Sequence, residues 1–114
     1  MKSAPGVLVH AVGDILLGTD WPDSRIPKRN PLRSVAPLLR RADLTLGNLE
    51  GVLADGGTVR PDKADPKRSY AFRMPRRLGP WLTEAGFDAL CVANNHAGDF
   101  GPAGRRGTRA SLDA

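Results

Sequence analysis

The amino-acid sequence predicts an α/β fold whose strands run parallel within one sheet. Three short apolar runs, at residues 7–12, 43–46 and 87–93, have the composition of buried strands. Segments with apolar residues at helical spacing lie between and after them. The order of strand, helix, strand, loop, helix, strand and helix is typical of parallel sheets with crossover connections. With 114 residues, the chain has the length of one domain.

The first half of the chain supplies two of these strands and one helix. Residues 7–12 are rich in valine and predict a buried strand that ends before Asp14. Residues 31–41 place leucine, valine and alanine at helical spacing, and Pro37 should bend or shorten that helix. Residues 43–46 predict the second strand, which ends at a polar turn.

The middle of the chain predicts a long loop followed by the best-defined helix. Residues 51–69 are polar and contain paired glycines and two prolines, so we expect a loop, and loops of this length are usually functional or mobile. Residues 70–72 predict a short strand. Residues 75–85 have proline at the start and apolar residues on one face, and Gly86 is a natural C-terminal stop.

The last strand and helix complete the pattern. Residues 87–93 contain Cys91, the only cysteine, for which we expect the role of a small buried hydrophobic residue. A final helix is expected from Pro102, and the sequence stops without a capping residue for it. Because three strands would leave edges that a complete domain normally covers, we expect the chain to be a fragment.

The charge of the chain has two explanations that stay open. The net charge of +5 and the pI near 10.1 come mostly from arginine. A general bias toward Arg, Ala, Gly and Pro explains this as well as a surface that faces a polyanion does. Nucleic-acid binding is not favoured, because no recognition helix, zinc-finger spacing or aromatic stacking platform accompanies the charge.

The same composition gives no sign of export. The N-terminal apolar stretch is interrupted by His10 and Asp14, so we do not expect a signal peptide. No apolar run approaches the length of a transmembrane helix. Taken as written, the sequence predicts a cytoplasmic protein.

Polar side chains follow each of the three strands. Asp14 follows the first strand, Asn48 and Glu50 follow the second, and Asn95 and His96 follow the third. Because the carboxyl ends of parallel strands share one edge of the sheet, these residues can converge there. Two carboxylates, amide oxygens and an imidazole are suitable ligands for Mn, Fe or Zn. The sequence therefore predicts a metal site, and a metal there can bind phosphate and activate water.

Several of these residues also have a purely structural explanation, whereas Asn95 and His96 have few structural reasons to follow an apolar strand. Asp14 and Glu50 can be solvated turn residues, and Asn48 suits a turn in its own right. Asp99 fits a turn or helix cap better than a metal ligand. His10 lies among valines, and we expect it to be a core histidine without a role in chemistry.

Four segments together resemble the bacterial capsule-synthesis CapA proteins, also called poly-γ-glutamate biosynthesis proteins. They are GDILLG at residues 13–18, GNLE at 47–50, YAFR at 70–73 and AGFDALCVANNHAGDFG at 85–101. The CapA proteins belong to the calcineurin-like metallophosphoesterase superfamily, and the resemblance extends from Val7 to about residue 108.

The resemblance implies a β-sandwich of two sheets flanked by helices, of which this chain would be the N-terminal half. It also implies that Asp14, Glu50 and Asn95 bind a divalent metal, with Mn, Fe or Zn as candidates. His96 would be the acid that protonates a leaving oxygen or stabilises the transition state. Three residues in or beside the same motifs are assigned a supporting part: Asn48, Asn94 and Asp99.

The sequence departs from the pattern of the superfamily in two places that bear on activity. Asp14 is followed by Ile15 and Leu16, whereas superfamily enzymes usually carry Asp-x-His there. The chain has only two histidines, His10 and His96, so the histidines that the superfamily draws from its C-terminal half are missing. The last helix also carries charge and a glycine where relatives have leucines. Missing ligands would have to come from a C-terminal half or a partner chain.

These features predict metal-assisted phosphoester hydrolysis only in a complete domain, with weak or no turnover by this chain alone. The expected substrate is phosphorylated or polyanionic, with poly-γ-glutamate as the candidate that the resemblance names. The alternative is a non-catalytic polyanion-binding or scaffold component of capsule polymer assembly. Members of the family are often exported or membrane-anchored, in contrast to the cytoplasmic location predicted from this sequence.

Overall fold

The computed structural model describes residues 5–114, arranged as five strands and three α-helices. The expectation about a signal peptide concerns residues 1–4 in part, and these lie outside the described residues. Two 3₁₀ helices, Pro61–Lys63 and Arg76–Leu78, lie between the regular elements. In chain order the strands and α-helices are β1 (Val9–Ile15), α1 (Ala36–Leu39), β2 (Leu44–Leu49), β3 (Val52–Leu53), β4 (Arg73–Met74), α2 (Gly79–Ala85), β5 (Ala89–Cys91) and α3 (Gly101–Leu112).

The three principal strands form one parallel sheet in the order β1-β2-β5, which confirms the predicted α/β class and the direction of the strands. In this register Asp14 lies opposite Asn48, and Asn48 lies opposite Cys91. The carboxyl ends of all three strands therefore share one edge, as predicted.

The first two strands run further than the sequence predicts. β1 continues through Asp14 to Ile15, and β2 includes Asn48, so both polar residues lie within strands. The register between β1 and β2 shifts between Ala11 and Asp14, and β1 continues beyond this irregularity. Gly47 lies opposite it, and a Cβ there would approach Ile15 Cδ1 to 2.5 Å and Val12 Cγ2 to 2.9 Å, so these side chains would have to shift.

The predicted loop at residues 51–69 contains structure that the sequence does not reveal. It begins with β3, which pairs in parallel with β4 to form a separate two-stranded sheet. It also contains the 3₁₀ helix Pro61–Lys63. The strand predicted at 70–72 is wrong in position, since pairing with β3 places it at Arg73–Met74.

The first helix is much shorter than predicted, and the second agrees. α1 has four residues instead of the expected 31–41, with Pro37 in its first turn. Proline fits the first turn because its missing N–H has no helical partner there, whereas it would break a helix interior. α2 follows a 3₁₀ turn and ends at Gly86, whose φ of 94° confirms the predicted left-handed stop.

The last helix is confirmed and packs on β3 through small residues. α3 begins at Gly101, one residue before Pro102, and ends at Leu112 with Asp113 as its C-cap. A Cβ added to Gly107 would lie 2.6 Å from the Cβ of Ala54, so this glycine permits a close approach between α3 and the chain after β3. The low helix propensity of this glycine is therefore offset by the close packing that it permits.

The main core lies on one face of the three-stranded sheet. Seven buried residues form it: Ile15, Leu17, Leu49, Leu53, Met74, Leu78 and Leu82. The other face is open in the described chain, and it carries the paired residues Val9, which is 47% exposed, and Leu44, which is 36% exposed. The predictions of a buried first strand and a buried Cys91 are therefore wrong. Val9 and Cys91 lie on the face that nothing in residues 5–114 covers, and Val12, which lies beside Gly47 on the core face, is still 38% exposed.

Candidate functional site

Three predicted site residues meet at the carboxyl edge of the sheet. The side-chain amide of Asn48 donates from Nδ2 to Asp14 Oδ1 at 2.8 Å and to Glu50 Oε2 at 2.9 Å. The register sets this arrangement, because Asp14 and Asn48 are paired across β1 and β2. Glu50 is held just beyond β2 by a bond from its N–H to the carbonyl of Ile15. Two carboxylates therefore surround one amide nitrogen.

Asn94 joins the third strand to this group. Its Nδ2 donates to Asn48 Oδ1 at 3.1 Å and to the carbonyl of Leu49 at 2.8 Å. Its Oδ1 accepts from the backbone N–H of His96 at 3.0 Å, which closes a tight turn after β5. Asn95, the predicted metal ligand, is exposed at the tip of that turn. Of the two neighbouring asparagines in this turn, it is Asn94, and not Asn95, whose side chain contacts Asn48.

The His96 ring is buried between two carboxylates. Its Nε2 lies 3.4 Å from Glu50 Oε1, and its Nδ1 lies 2.6 Å from Asp99 Oδ2. The Phe72 ring covers it at a centroid distance of 4.4 Å. A carboxylate can only accept a hydrogen bond, so the short contact assigns the donor role to Nδ1. Nε2 is the nitrogen that faces the group around Asn48.

Asp99 is a buried anchor rather than a helix cap. Its side chain is 0% exposed, and it accepts from Lys63 Nζ at 2.5 Å and from the N–H of Phe72 at 2.9 Å. Asp99 does lie in a turn, but the predicted capping role is wrong, since α3 has Phe100 at its N-cap and no side-chain cap. The reason is tertiary: a buried carboxylate needs charged and hydrogen-bonding partners, and these come from distant segments.

Lys63 is a residue of this site that sequence reasoning missed. It belongs to the loop at 51–69, yet its side chain is only 15% exposed and points to Asp99. In sequence it resembles any solvated lysine between prolines and aspartates, so no local signal distinguishes it. His10, by contrast, lies away from this group, because it pairs with Thr45 toward the other end of the sheet. Cys91 lies beside Asn48 in the sheet, but its thiol contacts the carbonyl of Ala93.

The donor atoms suit a divalent cation only in part. Carboxylate and amide oxygens and an imidazole nitrogen are suitable ligands for Mn, Fe or Zn, and the two carboxylates around Asn48 attract positive charge. Within residues 5–114, however, no group of three or more His, Cys, Asp or Glu side chains is placed to hold a metal. A metal here would need Asn95 or ligands from outside this chain.

A separate groove of about 570 Å³ lies between α2, β5 and α3. Leu82, Leu90 and Arg105 are among the residues that line it. None of the predicted ligands faces it, so it is distinct from the polar group at the sheet edge.

Comparison with known proteins identifies the family. A family profile described as bacterial capsule synthesis protein PGA_cap matches residues 8–114, which is nearly the whole chain. The chain belongs to the PGA_cap family. Its β1, β2 and β5 strands and the polar residues at their ends all lie within the matched region.

Proteins similar to this PGA_cap chain include relatives from two bacteria. An uncharacterized protein, y4sH, of Sinorhizobium fredii is 32% identical over 112 residues, which cover 95% of this chain and 23% of that protein. A second uncharacterized protein of the same organism, y4uA, matches equally over the same shares. Capsule biosynthesis protein CapA of Bacillus anthracis is 30% identical over 99 residues, covering 85% of this chain and 24% of that protein. The chain thus spans about a quarter of the length of these relatives.

The helices of this PGA_cap chain are short. Among the residues that the structure describes, no helix combines the length and the hydrophobicity needed to cross a bilayer.

Proposed function

We propose that this chain supplies half of a metal-centred site for phosphoester hydrolysis in capsule polymer synthesis. The observation that carries the proposal is the group at the sheet edge, where Asn48 joins Asp14 and Glu50, and His96 Nε2 faces Glu50. Membership of a capsule synthesis family supports the biological setting. In this proposal the hydrolysed substrate carries a phosphoester, and poly-γ-glutamate, whose links are amides, is the candidate polyanion that the chain binds.

Asp14, Glu50 and the side-chain oxygen of Asn95 are the proposed ligands of a divalent Mn, Fe or Zn ion. When bound, the metal would activate water and stabilise negative charge on phosphate oxygens. Asn95 is exposed, so in this proposal its side chain turns toward the two carboxylates when the metal binds. The scarcity of ligands supports weak or no turnover by the chain alone.

His96 would act as the proton donor of this site. Its Nδ1 is engaged by Asp99, so a proton carried on Nε2 is the one available to a leaving oxygen near Glu50. Phe72 packs against the ring and limits its rotation. Asn48 and Asn94 hold the ends of β1, β2 and β5 together, which fixes the distance between the carboxylates and the imidazole.

Metal binding tests this proposal without relying on turnover. Titration of Mn²⁺ into the purified chain, followed by electron paramagnetic resonance, should show binding that Asp14→Asn weakens at least about tenfold, because one anionic ligand is lost. Asp23→Asn is the matched control, since Asp23 is an exposed acid outside the site. Equal Mn²⁺ affinity in wild type and Asp14→Asn would reject the proposed site.

A non-catalytic polyanion-binding role is the second candidate, and the loop beside the site favours it. Arg60, Lys67 and Arg68 are exposed on the segment that also carries Lys63. Binding of poly-γ-glutamate would weaken steeply with salt if these charges make the contacts. Lys67→Glu with Arg68→Glu should reduce such binding, whereas Lys28→Glu, an exposed lysine elsewhere, should have less effect. Salt-independent binding would contradict this role.

The open face of the sheet also supports the sandwich fold expected for the superfamily. We propose that in longer members of the family a second sheet packs against the face that carries Val9, Leu44 and Cys91. The exposure of these apolar residues is the supporting observation. A crystal structure of a full-length relative such as Bacillus anthracis CapA would test it, and a polar, solvated layer over this face would contradict it.

A further inference from the structure

The positive charge of the chain is concentrated in one segment. Residues 24–42, which we call the basic segment, contain six of the 17 arginine and lysine residues and no acidic residue. The remaining 11 basic residues are outnumbered by the 12 acidic ones, so the whole net charge of +5 comes from this segment. A general bias toward arginine would not separate basic from acidic residues in this way. The six cations are Arg25, Lys28, Arg29, Arg33, Arg40 and Arg41.

All six cations are exposed, and none has a carboxylate partner in the part of the chain that the structure describes. Every ion pair that lysine or arginine forms within residues 5–114 uses a cation from outside the basic segment. Arg40 donates to the backbone carbonyl of Glu84, which attaches the segment to α2 without neutralising its charge. The segment therefore presents unpaired positive charge to anything that approaches it.

The second half of the basic segment is a short helical run with one face on the core. Backbone hydrogen bonds at three- and four-residue spacing close successive turns over residues 32–41, with α1 at the centre. The inner face contributes Ala36 and Leu39 to a buried cluster with Ala85, against which Leu32 and Phe87 pack. At 3.6 residues per turn, Arg33, Leu38 and Arg41 lie on the opposite, outward side.

Two apolar side chains are exposed among these cations. Leu38 is 57% exposed and Val35 is 43% exposed, on the same helical run as Arg33 and Arg41. A soluble polyanion gives no reason to expose a leucine between arginines. The interface of a bilayer accommodates both kinds of residue, because apolar side chains enter between the headgroups while guanidinium groups bind lipid phosphates. Anionic lipids add a long-range attraction for the unpaired charge.

We propose that Arg33, Val35, Leu38 and Arg41 form a membrane face that binds the surface of a bilayer containing anionic lipids. The two arginines contact phosphate oxygens, and the two apolar side chains insert among the headgroups. The basic segment ends just before the amino end of β2, whereas the polar group around Asn48 lies at the carboxyl edge of the sheet. The candidate site thus stays accessible on a membrane-bound chain. The membrane face itself requires neither metal nor hydrolysis.

Co-sedimentation of the purified chain with lipid vesicles tests this proposal. Vesicles of equal parts phosphatidylglycerol and phosphatidylcholine should bind the chain at least about tenfold more tightly than vesicles of phosphatidylcholine alone. Arg33→Gln with Arg41→Gln should weaken binding to the anionic vesicles at least about tenfold, because each cation near the surface adds to the attraction. Arg77→Gln with Arg106→Gln is the matched control, since it removes the same charge from two exposed arginines elsewhere. Equal losses in the two double variants would overturn the proposal.

Leu38→Ser separates a bilayer from a soluble polyanion as the ligand. It should weaken binding to the anionic vesicles several-fold, because an apolar contact with the bilayer is lost. Val92→Ser removes an apolar side chain that is 43% exposed just after β5, and it should leave vesicle binding unchanged. Vesicle binding by Leu38→Ser that equals wild type would overturn the proposal. So would a poly-γ-glutamate affinity that falls as far as the vesicle affinity in Arg33→Gln with Arg41→Gln.

Chemical protection on the wild-type chain gives a test that needs no variant. Phenylglyoxal should modify Arg33 and Arg41 several-fold more slowly when anionic vesicles are present, while the rate at Arg77 stays unchanged. Mass spectrometry of the digested chain gives the rates. Protection of Arg60 and Arg68 instead would assign vesicle binding to the loop at residues 51–69 and overturn the proposal. Because these experiments contain no metal, their outcome is independent of the Mn²⁺ titration that tests the proposed site.

Discussion

Asp99 Oδ2 accepts a hydrogen bond from His96 Nδ1 at 2.6 Å, although the sequence around Asp99 suggests only a turn. The two residues are three positions apart, so their proximity is local, but the burial of Asp99 is not. It depends on Lys63 and on the backbone of Phe72, which come from two other segments. The orientation of the candidate acid is therefore a product of the tertiary structure.

Asp99→Asn should destabilise the chain by about 3–5 kcal/mol, because it leaves Lys63 without the partner of a largely buried ion pair. Urea denaturation followed by circular dichroism measures the change. Asp65→Asn removes an exposed acid of the same loop, 3.9 Å from Arg68, and should cost less than about 1 kcal/mol. Similar losses for the two variants would contradict the buried role of Asp99.

Asn48→Asp should lower the stability of the metal-free chain by at least about 2 kcal/mol. The substitution removes two hydrogen bonds to carboxylates and places a third negative charge between Asp14 and Glu50. The same charge should strengthen Mn²⁺ binding, so adding Mn²⁺ should raise the thermal midpoint of the variant more than that of wild type. Sodium chloride at matched ionic strength is the control. A variant as stable as wild type would contradict the bridging role of Asn48.

Gly107→Ala should destabilise the chain by about 1–3 kcal/mol, although alanine is the better helix former. The added Cβ would lie 2.6 Å from the Cβ of Ala54, so α3 or the chain after β3 must shift. Gly56→Ala is the control, because a Cβ there meets nothing within 4 Å. Thermal unfolding measures both, and a stabilised Gly107→Ala variant would show that α3 does not pack this closely.

Cys91 should react with a thiol reagent in the native chain about as fast as in urea-unfolded chain. Its side chain lies on the open face of the sheet, and its Sγ makes only a long contact of 3.9 Å to the carbonyl of Ala93. Reaction with Ellman's reagent, followed by absorbance, gives the two rates. A thiol that reacts only after unfolding would show that this face is covered in solution.

The fold class and the common edge of the polar residues were predictable because they depend on local patterns. Apolar runs separated by helical segments imply parallel strands, and parallel strands bring their carboxyl ends together. The stop at Gly86 was predictable for a similar reason, since a left-handed residue after an apolar helical face is a local requirement.

The lengths of the elements were less predictable because they depend on pairing partners. β1 extends to Ile15 because β2 lies beside it and Gly47 leaves room for it. The position of Pro37 in the sequence already indicates a shorter α1. The reduction to four residues also depends on packing. β3 and β4 are two residues each and have no periodicity from which they could be recognised.

The sequence by itself determined the family, the order of the three main strands and the helices, and four of the residues that meet at the sheet edge, namely Asp14, Asn48, Glu50 and His96. These follow from short-range patterns of polarity and from motifs that are contiguous in the chain. Only the tertiary structure decided that Asn94 is the asparagine that contacts Asn48, that Asp99 is buried and that Lys63 belongs to the site. Their roles arise from contacts between segments more than 30 residues apart, where burial and charge pairing depend on distance in space.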